Sequence, residues 1–238
     1  MHLILDFGNT ATKYAVYKDS DLIAHGIAGA DFSIAQLPYV FSACIMGASG
    51  NIHPTIEREL DQLNIPSTRF NHQTSIPIIN AYETPQTLGP DRLAAVIGAA
   101  AEFPNSDLLV INAGTCITYD IITHDRRYLG GAISPGLKMR FRAMHEFTAH
   151  LPLIEDLTTE NPFIGKNTAT CMKSGAINGT IAEIEGFIRT FKLNYPNLRP
   201  ILTGGDAEFL ECQMKIEIFV SKFLVLKGLN AVLIHNEV

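Results

Sequence analysis

The chain has 238 residues, 47% of them hydrophobic, and a formal net charge of −6 at pH 7. This length allows one large domain or two domains of about 120 residues each, and the hydrophobic content is ample for a core. An acidic chain without a basic run or stripe is not expected to bind nucleic acid or an acidic membrane surface. The longest apolar segments, at residues 93–101 and 223–234, are too short or too interrupted to span a bilayer, and the N-terminus lacks the pattern of a signal peptide.

The four cysteines, Cys44, Cys116, Cys171 and Cys212, are widely separated and form no C-x-x-C pair. This spacing favours reduced, mostly buried thiols and weakens any interpretation as a zinc site. We therefore expect a cytoplasmic protein with no nucleic-acid partner and no membrane partner.

The first half of the chain alternates apolar runs with polar turns. An apolar strand at residues 3–5 leads through a polar turn into strands at 14–17 and 22–27, which indicates an antiparallel meander. The pattern then predicts a strand at 41–46, an amphipathic helix at 55–63, short strands at 67–70 and 76–80, and an Ala-rich helix at 92–103.

The second half repeats this order. It predicts strands at 108–111, 117–122 and 126–133, a helix that Pro135 opens and that runs to about Phe147, and a long helix at 167–193. A strand at 199–202, a short helix, a strand at 216–220 and a helix through 226–234 follow. Hairpin strands followed by crossover helices, twice over, predict an α/β fold with two mixed sheets, divided into domains at 1–106 and 107–238.

The turn at residues 6–13 contains the groups that a site for nucleotide phosphates needs. Asp6 ends the first strand, where a carboxylate can hold a hydrated metal ion. Gly8 lets backbone N–H groups approach a phosphate closely, and Lys13 adds a mobile positive charge. A plain polar hairpin turn remains the alternative for this stretch taken alone.

A second turn, at residues 112–118, repeats the pattern of the first. Three apolar residues precede Asn112, Gly114 falls where Gly8 does, and Thr118 falls where Thr12 does. Two such turns facing each other would clamp a polyphosphate from both sides, so the repeat favours the phosphate interpretation.

Two further motifs stand at helix starts. In Gly89-Pro90-Asp91-Arg92, Asp91 could accept a proton from a substrate hydroxyl as a general base, or it could be a helix-capping residue beside a surface arginine. In Leu202-Thr203-Gly204-Gly205-Asp206, the paired glycines could take a flat ring or a phosphate, or form a plain turn from strand to helix.

The order of these motifs resembles the superfamily of actin-like proteins, sugar kinases and Hsp70-type ATPases. Within it, D-F-G-N-T, G-P-D-R, N-A-G-T-C-I-T-Y-D, L-G-G-A-I-S-P-G and L-T-G-G-D closely resemble type III pantothenate kinase, over essentially the whole chain. The resemblance implies two actin-like (ribonuclease H-like) domains and ATP-dependent phosphorylation of pantothenate to 4'-phosphopantothenate, the first step of coenzyme A biosynthesis. It also implies Mg2+, an activating K+ or NH4+ ion, and a homodimer whose dimerisation helices belong to the C-terminal domain and complete the active site.

The resemblance assigns roles to matching positions only. Asp91 would be the catalytic base, Arg92 an anchor for a carboxylate or phosphate, and Asn112 a ligand of the monovalent cation. The family usually has Asp where Asn112 stands, so cation affinity is expected to differ, with Asp120 as a possible compensating carboxylate. The residues expected to bind ATP are Asp6, Phe7, Gly8, Asn9, Thr10, Ala11, Thr12, Lys13, Thr115, Gly204 and Gly205. The residues expected to contact pantothenate are Tyr82, Gly89, Pro90, Asp91, Arg92 and Thr168.

Two other functions stay open at this point. One is a nucleotide-binding regulatory protein of the same fold without kinase activity, although such a protein would not need Asp91. The other is a different small-molecule kinase of the superfamily, such as a sugar kinase, which rests on analogy of fold.

Overall fold

The alternating pattern of strands and helices folds into two mixed β-sheets flanked by helices. The computed structural model describes residues 1–29, 31–50, 52–157 and 161–237. The strands are β1 (His2–Phe7), β2 (Thr12–Lys18), β3 (Asp21–Ala28), β4 (Ala43–Ala48), β5 (Ser67–Arg69), β6 (Ile79–Asn80), β7 (Leu108–Ala113), β8 (Cys116–Ile122), β9 (Arg127–Pro135), β10 (Arg199–Thr203) and β11 (Phe219–Val220). The α-helices are α1 (Pro54–Gln62), α2 (Pro90–Glu102), α3 (Leu137–Glu146), α4 (Thr168–Asn194), α5 (Ala207–Glu211) and α6 (Leu224–Asn236), and short 3-10 helices cover Ile34–Gln36 and Pro85–Thr87.

The first sheet has the strand order β3-β2-β1-β4-β5. Strands β1, β2 and β3 form an antiparallel meander, and β4 and β5 extend the sheet in parallel. All six residues of β1 are buried, as expected for a central strand covered on both faces. The N-terminal sequence therefore forms the middle of the sheet, and the turn that follows β1 lies at its carboxyl end.

The core on one face of this sheet forms between alternate residues of β1 and β4 and the apolar side of α1. Leu3, Leu5 and Phe7 point to this face and pack in one cluster with Ile56 and Leu60 of α1. Strand residues two apart share a face, so the three β1 side chains lie in a row behind the turn. Phe7, which is 1% exposed, fixes the last residue of β1 in this cluster.

Helices α2 and α6 meet at glycines. A Cβ atom on Gly98 of α2 would lie 2.2 Å from the carbonyl oxygen of Leu224, and one on Gly228 of α6 would lie 1.8 Å from that of Ala94. The two helices can therefore approach to backbone contact only because both positions lack a side chain. Close packing of this kind suits the small side chains of the Ala-rich α2.

The second sheet repeats the topology of the first. Its strand order is β11-β10-β7-β8-β9-β6, with β10 parallel to both β7 and β11. Strands β7 to β11 follow the same order as β1 to β5, and β6 is added at the edge beside β9. The internal repeat predicted from the two turns is confirmed at the level of strand order, and so is the α/β class with two mixed sheets.

The chain divides into two compact units, neither of which is a single stretch. The first unit comprises Met1–Ser106, Ile121–Gly130 and Phe223–Val238, and the second comprises Asp107–Asp120 and Gly131–Lys222. The division into domains at residue 106 stays a prediction.

Two local expectations are corrected by the structure. Pro135 does not open a helix: it is the last residue of β9, and α3 begins at Leu137 after Gly136. The cysteines are not mostly buried, because Cys44 is buried and Cys116 half-buried, whereas Cys171 and Cys212 are exposed. Within the described ranges, no helix combines the length and apolar character that a bilayer crossing requires.

Candidate active site

The first turn joins the central strand of the first sheet to its antiparallel neighbour. Asp6 and Lys13 are directly opposite each other in the β1–β2 pair. Between them the chain closes through a hydrogen bond from the Gly8 N–H to the Ala11 carbonyl, with N and O 3.2 Å apart. Asn9 and Thr10 at the tip of the turn are exposed. This part of the chain therefore presents short polar side chains and backbone groups above a buried carboxylate.

Asp6 is a buried carboxyl group with an altered proton affinity. Burial raises its pKa to about 6; the nearby charge of Lys13 opposes that change, and the negative charge of Asp91 adds to it. The Asp6 and Asp91 carboxylates are thus close enough to interact, although they lie 85 residues apart in the chain. A pair of carboxylates that repel each other is suited to share a cation.

The Gly89–Arg92 motif forms the start of α2. Gly89 is the residue before the helix, Pro90 takes its first position, and Asp91 lies in the first turn. The Asp91 carboxylate lies against Gly89. A Cβ atom at Gly89 would come within 2.7 Å of Asp91 Oδ1. Arg92 is 6% exposed, so the alternative of a surface arginine beside a capping Asp is excluded.

Tyr82 supports the guanidinium group of Arg92. The Arg92 Cζ atom lies 5.6 Å from the centroid of the Tyr82 ring, a cation–π distance. Tyr82 also contacts Tyr128, whose ring is nearly parallel at 6.0 Å, and Gly130, where a Cβ atom would lie 3.1 Å from the ring. Gly130 has φ +99°, a conformation that residues with a side chain rarely adopt. Its lack of a side chain leaves room for the Tyr82 ring.

The sequence alone assigns no role to Tyr128 or Gly130. Gly130 is part of the L-G-G-A-I-S-P-G motif, but its contact with Tyr82 depends on the pairing of β6 with β9. Two backbone hydrogen bonds, from Ile79 N to Arg126 O and from Ala81 N to Tyr128 O, hold Tyr82 beside this strand.

The second turn belongs to the second unit and connects β7 to β8. The Gly114 N–H donates to the Cys116 carbonyl, with N and O 3.0 Å apart, and Thr115 is exposed at the tip. Asn112 is half-buried near the end of β7, opposite Thr203 of β10. Thr118 is buried on β8, and its hydroxyl has no hydrogen-bond partner within the described ranges.

The glycine pair after β10 lies against the second turn. Gly204 has φ +101°, and a Cβ atom there would come within 2.7 Å of Asn112 Oδ1. The Asp206 N–H donates to the Ala113 carbonyl, with N and O 3.1 Å apart. Burial raises the pKa of Asp206, an effect that the charge of Lys138 partly offsets. Asn112 and Gly204 are therefore brought together, and Gly205 is exposed beside them.

The predicted residues fall into two sets, one in each compact unit. Asp6, Lys13, Asp91, Arg92 and Tyr82 belong to the first unit, whereas Asn112, Thr115, Gly204 and Gly205 belong to the second. Thr168, the first residue of α4, is exposed, and Asn167 before it caps the helix. Neither set is a preformed metal cage, because the described ranges hold no cluster of three or more His, Cys, Asp or Glu side chains that could bind a metal ion.

The sequence matches a known protein family over most of its length. The family model for type III pantothenate kinase matches residues 2–190. A type III pantothenate kinase of Phocaeicola vulgatus is 41% identical over 242 residues, covering 100% of this chain and 99% of the relative. One from Bacteroides fragilis is 40% identical over 241 residues, covering 99% and 98%.

Among solved structures, the fold is similar to that of a candidate N-acetylmannosamine kinase from Listeria monocytogenes. The TM-score is 0.58 at 15% identity, with 100% of this chain and 99% of the other covered. That likeness shows the fold alone. The match of the family model and the identity over the full length together show that this chain is a member of the type III pantothenate kinase family.

Proposed function

We propose that this protein transfers the terminal phosphoryl group of ATP to the primary hydroxyl of pantothenate, forming 4'-phosphopantothenate, with Asp91 as the general base. Asp91 would take the proton as the hydroxyl oxygen bonds to phosphorus, while ADP leaves. The observation that carries this proposal is the placement of the Asp91 carboxylate at the start of α2, within electrostatic reach of Asp6 and next to the buried Arg92. Phosphoryl transfer needs such positioning and charge stabilisation more than covalent chemistry.

The phosphates of ATP are assigned to the two turns. Exposed polar groups at Asn9, Thr10 and Thr115, with the half-buried Gly8 and Thr12, suit phosphate oxygens, and Lys13 can neutralise charge on the phosphoryl group in transfer. Gly204 packs against the second turn, and the exposed Gly205 beside it leaves backbone surface for the nucleoside. The carboxyl group of pantothenate is assigned to Arg92, whose guanidinium can bind it with two hydrogen bonds, beside Tyr82.

The residues fit the cations that the family implies. Asp6, beside the second carboxylate of Asp91, can hold Mg2+, which typically uses one or two protein carboxylates and completes its shell with water and phosphate oxygens. The amide oxygen of Asn112, which lies against Gly204, can serve as a ligand of K+ or NH4+. The absence of a charge on Asn112 predicts weaker cation binding than a carboxylate would give.

We also propose a cytoplasmic homodimer in which Thr168 of one subunit contacts pantothenate bound to the other. Large apolar side chains in the second unit support an interface, because Phe147, Phe163 and Leu193 are each more than 80% exposed.

The test is a coupled assay of ADP release with and without pantothenate, in saturating Mg2+ and K+. Wild-type protein should show turnover that requires pantothenate, and Asp91→Asn should lose at least ~100-fold in kcat, because the base is removed while the shape is kept. Asp61→Asn, at an exposed position of α1, is the matched control and should keep full activity.

Repeating the assay in Na+ and NH4+ salts tests the cation assignment, and equal rates in all salts would contradict it. Wild-type protein that binds ATP but shows no pantothenate-dependent turnover in any salt would contradict the kinase assignment and favour the regulatory alternative.

A further inference from the structure

One carboxylate of the second unit gathers donors from three different elements. Glu183, in the middle of α4, accepts hydrogen bonds from Tyr119 Oη of β8 at 2.7 Å and from Ser134 Oγ of β9 at 2.5 Å, both on Oε1. Its Oε2 accepts from Arg140 Nη2 of α3 at 2.6 Å. The side chain thus connects α4 to two strands and to the helix that follows them.

This cluster differs from an exposed ion pair. The side chains of Glu183 and Arg140 are 24% and 21% exposed, and Tyr119 is fully buried with its ring 4.2 Å from that of Phe187. Burial alone would raise the pKa of Glu183, but hydrogen bonds from Ser134, Arg140 and Tyr119 outweigh it and hold that pKa below its usual range. A satisfied, half-buried network of this kind restricts its members to one arrangement.

The network continues to the junction between β9 and α3. Arg140 Nε donates to the Pro135 carbonyl at 2.9 Å, and the Arg140 backbone N–H donates to the Gly136 carbonyl at 3.0 Å. Glu183 therefore holds this junction both through Ser134 and through Arg140.

The same junction contacts the second turn. The Gly136 N–H donates to the Thr115 carbonyl with N and O 3.1 Å apart, and a Cβ atom on Gly136 would lie 2.1 Å from the Gly114 carbonyl oxygen. The junction is pressed against residues 114 and 115 at backbone distance. A displacement of the junction must therefore displace the turn.

We infer that Glu183 is a positioning residue for the nucleotide: by fixing the Ser134–Gly136 junction it fixes the backbone of Thr115 and, with it, the position of the Thr115 hydroxyl, and so sets the affinity for ATP. The inference rests on the proposed assignment of the Thr115 hydroxyl to ATP. Glu183 would not itself touch a substrate. If Glu183 served only to attach α4 to the sheet, its substitution would lower stability without weakening the binding of ATP more than that of pantothenate.

The test is direct binding of ATP, measured by calorimetry, for the wild type and for Glu183→Gln. The amide keeps the shape but replaces an acceptor oxygen with a donor that faces hydroxyl and guanidinium donors, so part of the network is lost. We expect Kd for ATP to rise ~10-fold, the effect of losing about one hydrogen bond to a charged group, while KM for pantothenate stays within ~2-fold of the wild type.

The matched control is Glu185→Gln, two residues along the same helix. Glu185 forms an ion pair with Arg189 and accepts a hydrogen bond from the Lys215 N–H. Neither partner belongs to the β9–α3 junction. It should leave both constants unchanged. Ser134→Ala removes a single donor and keeps the inference testable if Glu183→Gln fails to fold; it should raise Kd for ATP by a smaller factor.

A double-mutant cycle identifies the route of the effect. If Glu183 acts through the turn, Glu183→Gln and Thr115→Ala should be non-additive, and the double variant should bind ATP more tightly than the product of the two single effects predicts. Additive effects, an equal change in both substrates, or a change in melting temperature alone would overturn the inference. ATP binding can be measured without turnover. A wild type that binds ATP but is inactive would therefore contradict the proposed reaction, while the effect of Glu183→Gln on Kd for ATP could still be measured.

Discussion

At the scale of single residues, Asp6 combines a functional need with a cost in stability. Its pKa in the folded protein is about 6, against 3.8 for the free side chain, so folding favours the protonated form. As the pH rises through this window, the unfolded chain releases its proton first, and stability falls. Above it, the ionised carboxylate costs about 3 kcal/mol, because the buried site favours the neutral group.

We therefore predict that Asp6→Asn stabilises the metal-free protein at pH 7.5 by up to about 3 kcal/mol while it abolishes activity. Urea unfolding at pH 7.5 and pH 4 measures the effect, and the gain should shrink to about 0.6 kcal/mol at pH 4, where Asp6 is protonated in the folded state and partly protonated in the unfolded chain. The exposed Asp61→Asn serves as control at both values. A variant that is equally or less stable than wild type at pH 7.5 would show that Asp6 is not strained by burial.

At the scale of elements, the contact between α2 and α6 depends on two glycines. A methyl group at Gly98 would gain up to about 1 kcal/mol in helix propensity, but it would collide with the Leu224 carbonyl at 2.2 Å and force the helices apart. We predict that Gly98→Ala lowers the free energy of unfolding by about 2 kcal/mol or more, as overpacking typically does.

The matched control for this prediction is Gly186→Ala on α4, where no atom lies within 4 Å of the added methyl group. That substitution should be neutral or stabilising by up to about 1 kcal/mol. Chemical denaturation of both variants measures the difference, and equal effects at the two glycines would mean that the helix contact does not require glycine.

At the scale of the whole molecule, the proposed sharing of the active site between subunits can be tested by complementation. Asp91→Asn removes the base. Thr168→Glu places a negative charge where pantothenate is proposed to bind, at a helix N-terminus that tolerates acidic residues. Each variant alone should be inactive. Co-expressed in equal amounts, half of the dimers would be mixed and would hold one intact site of two, so about a quarter of wild-type activity should return.

Activity of the mixture equal to the sum of the separate variants would contradict a shared site. Sedimentation analysis of the same samples shows whether dimers are present, which separates a failure to assemble from a failure to complement.

The sequence by itself determined the order of strands and turns, the internal repeat and the positions of the phosphate-turn residues. These depend on neighbours in the chain: apolar runs become buried strands, and glycine with short polar residues forms turns. Asp91 at a helix start was also predictable, because Pro90 fixes the beginning of α2.

Only the tertiary structure decided features that join distant residues. Pro135 ends β9 because the strand pairing continues to it, although Pro at a helix start is common locally. Arg92 lies against Tyr82, and Tyr82 meets Tyr128 and Gly130 through the pairing of β6 with β9. Glu183 gathers Tyr119, Ser134 and Arg140 across more than 40 residues of chain. No local pattern encodes such contacts, since their partners are chosen by the packing of whole elements.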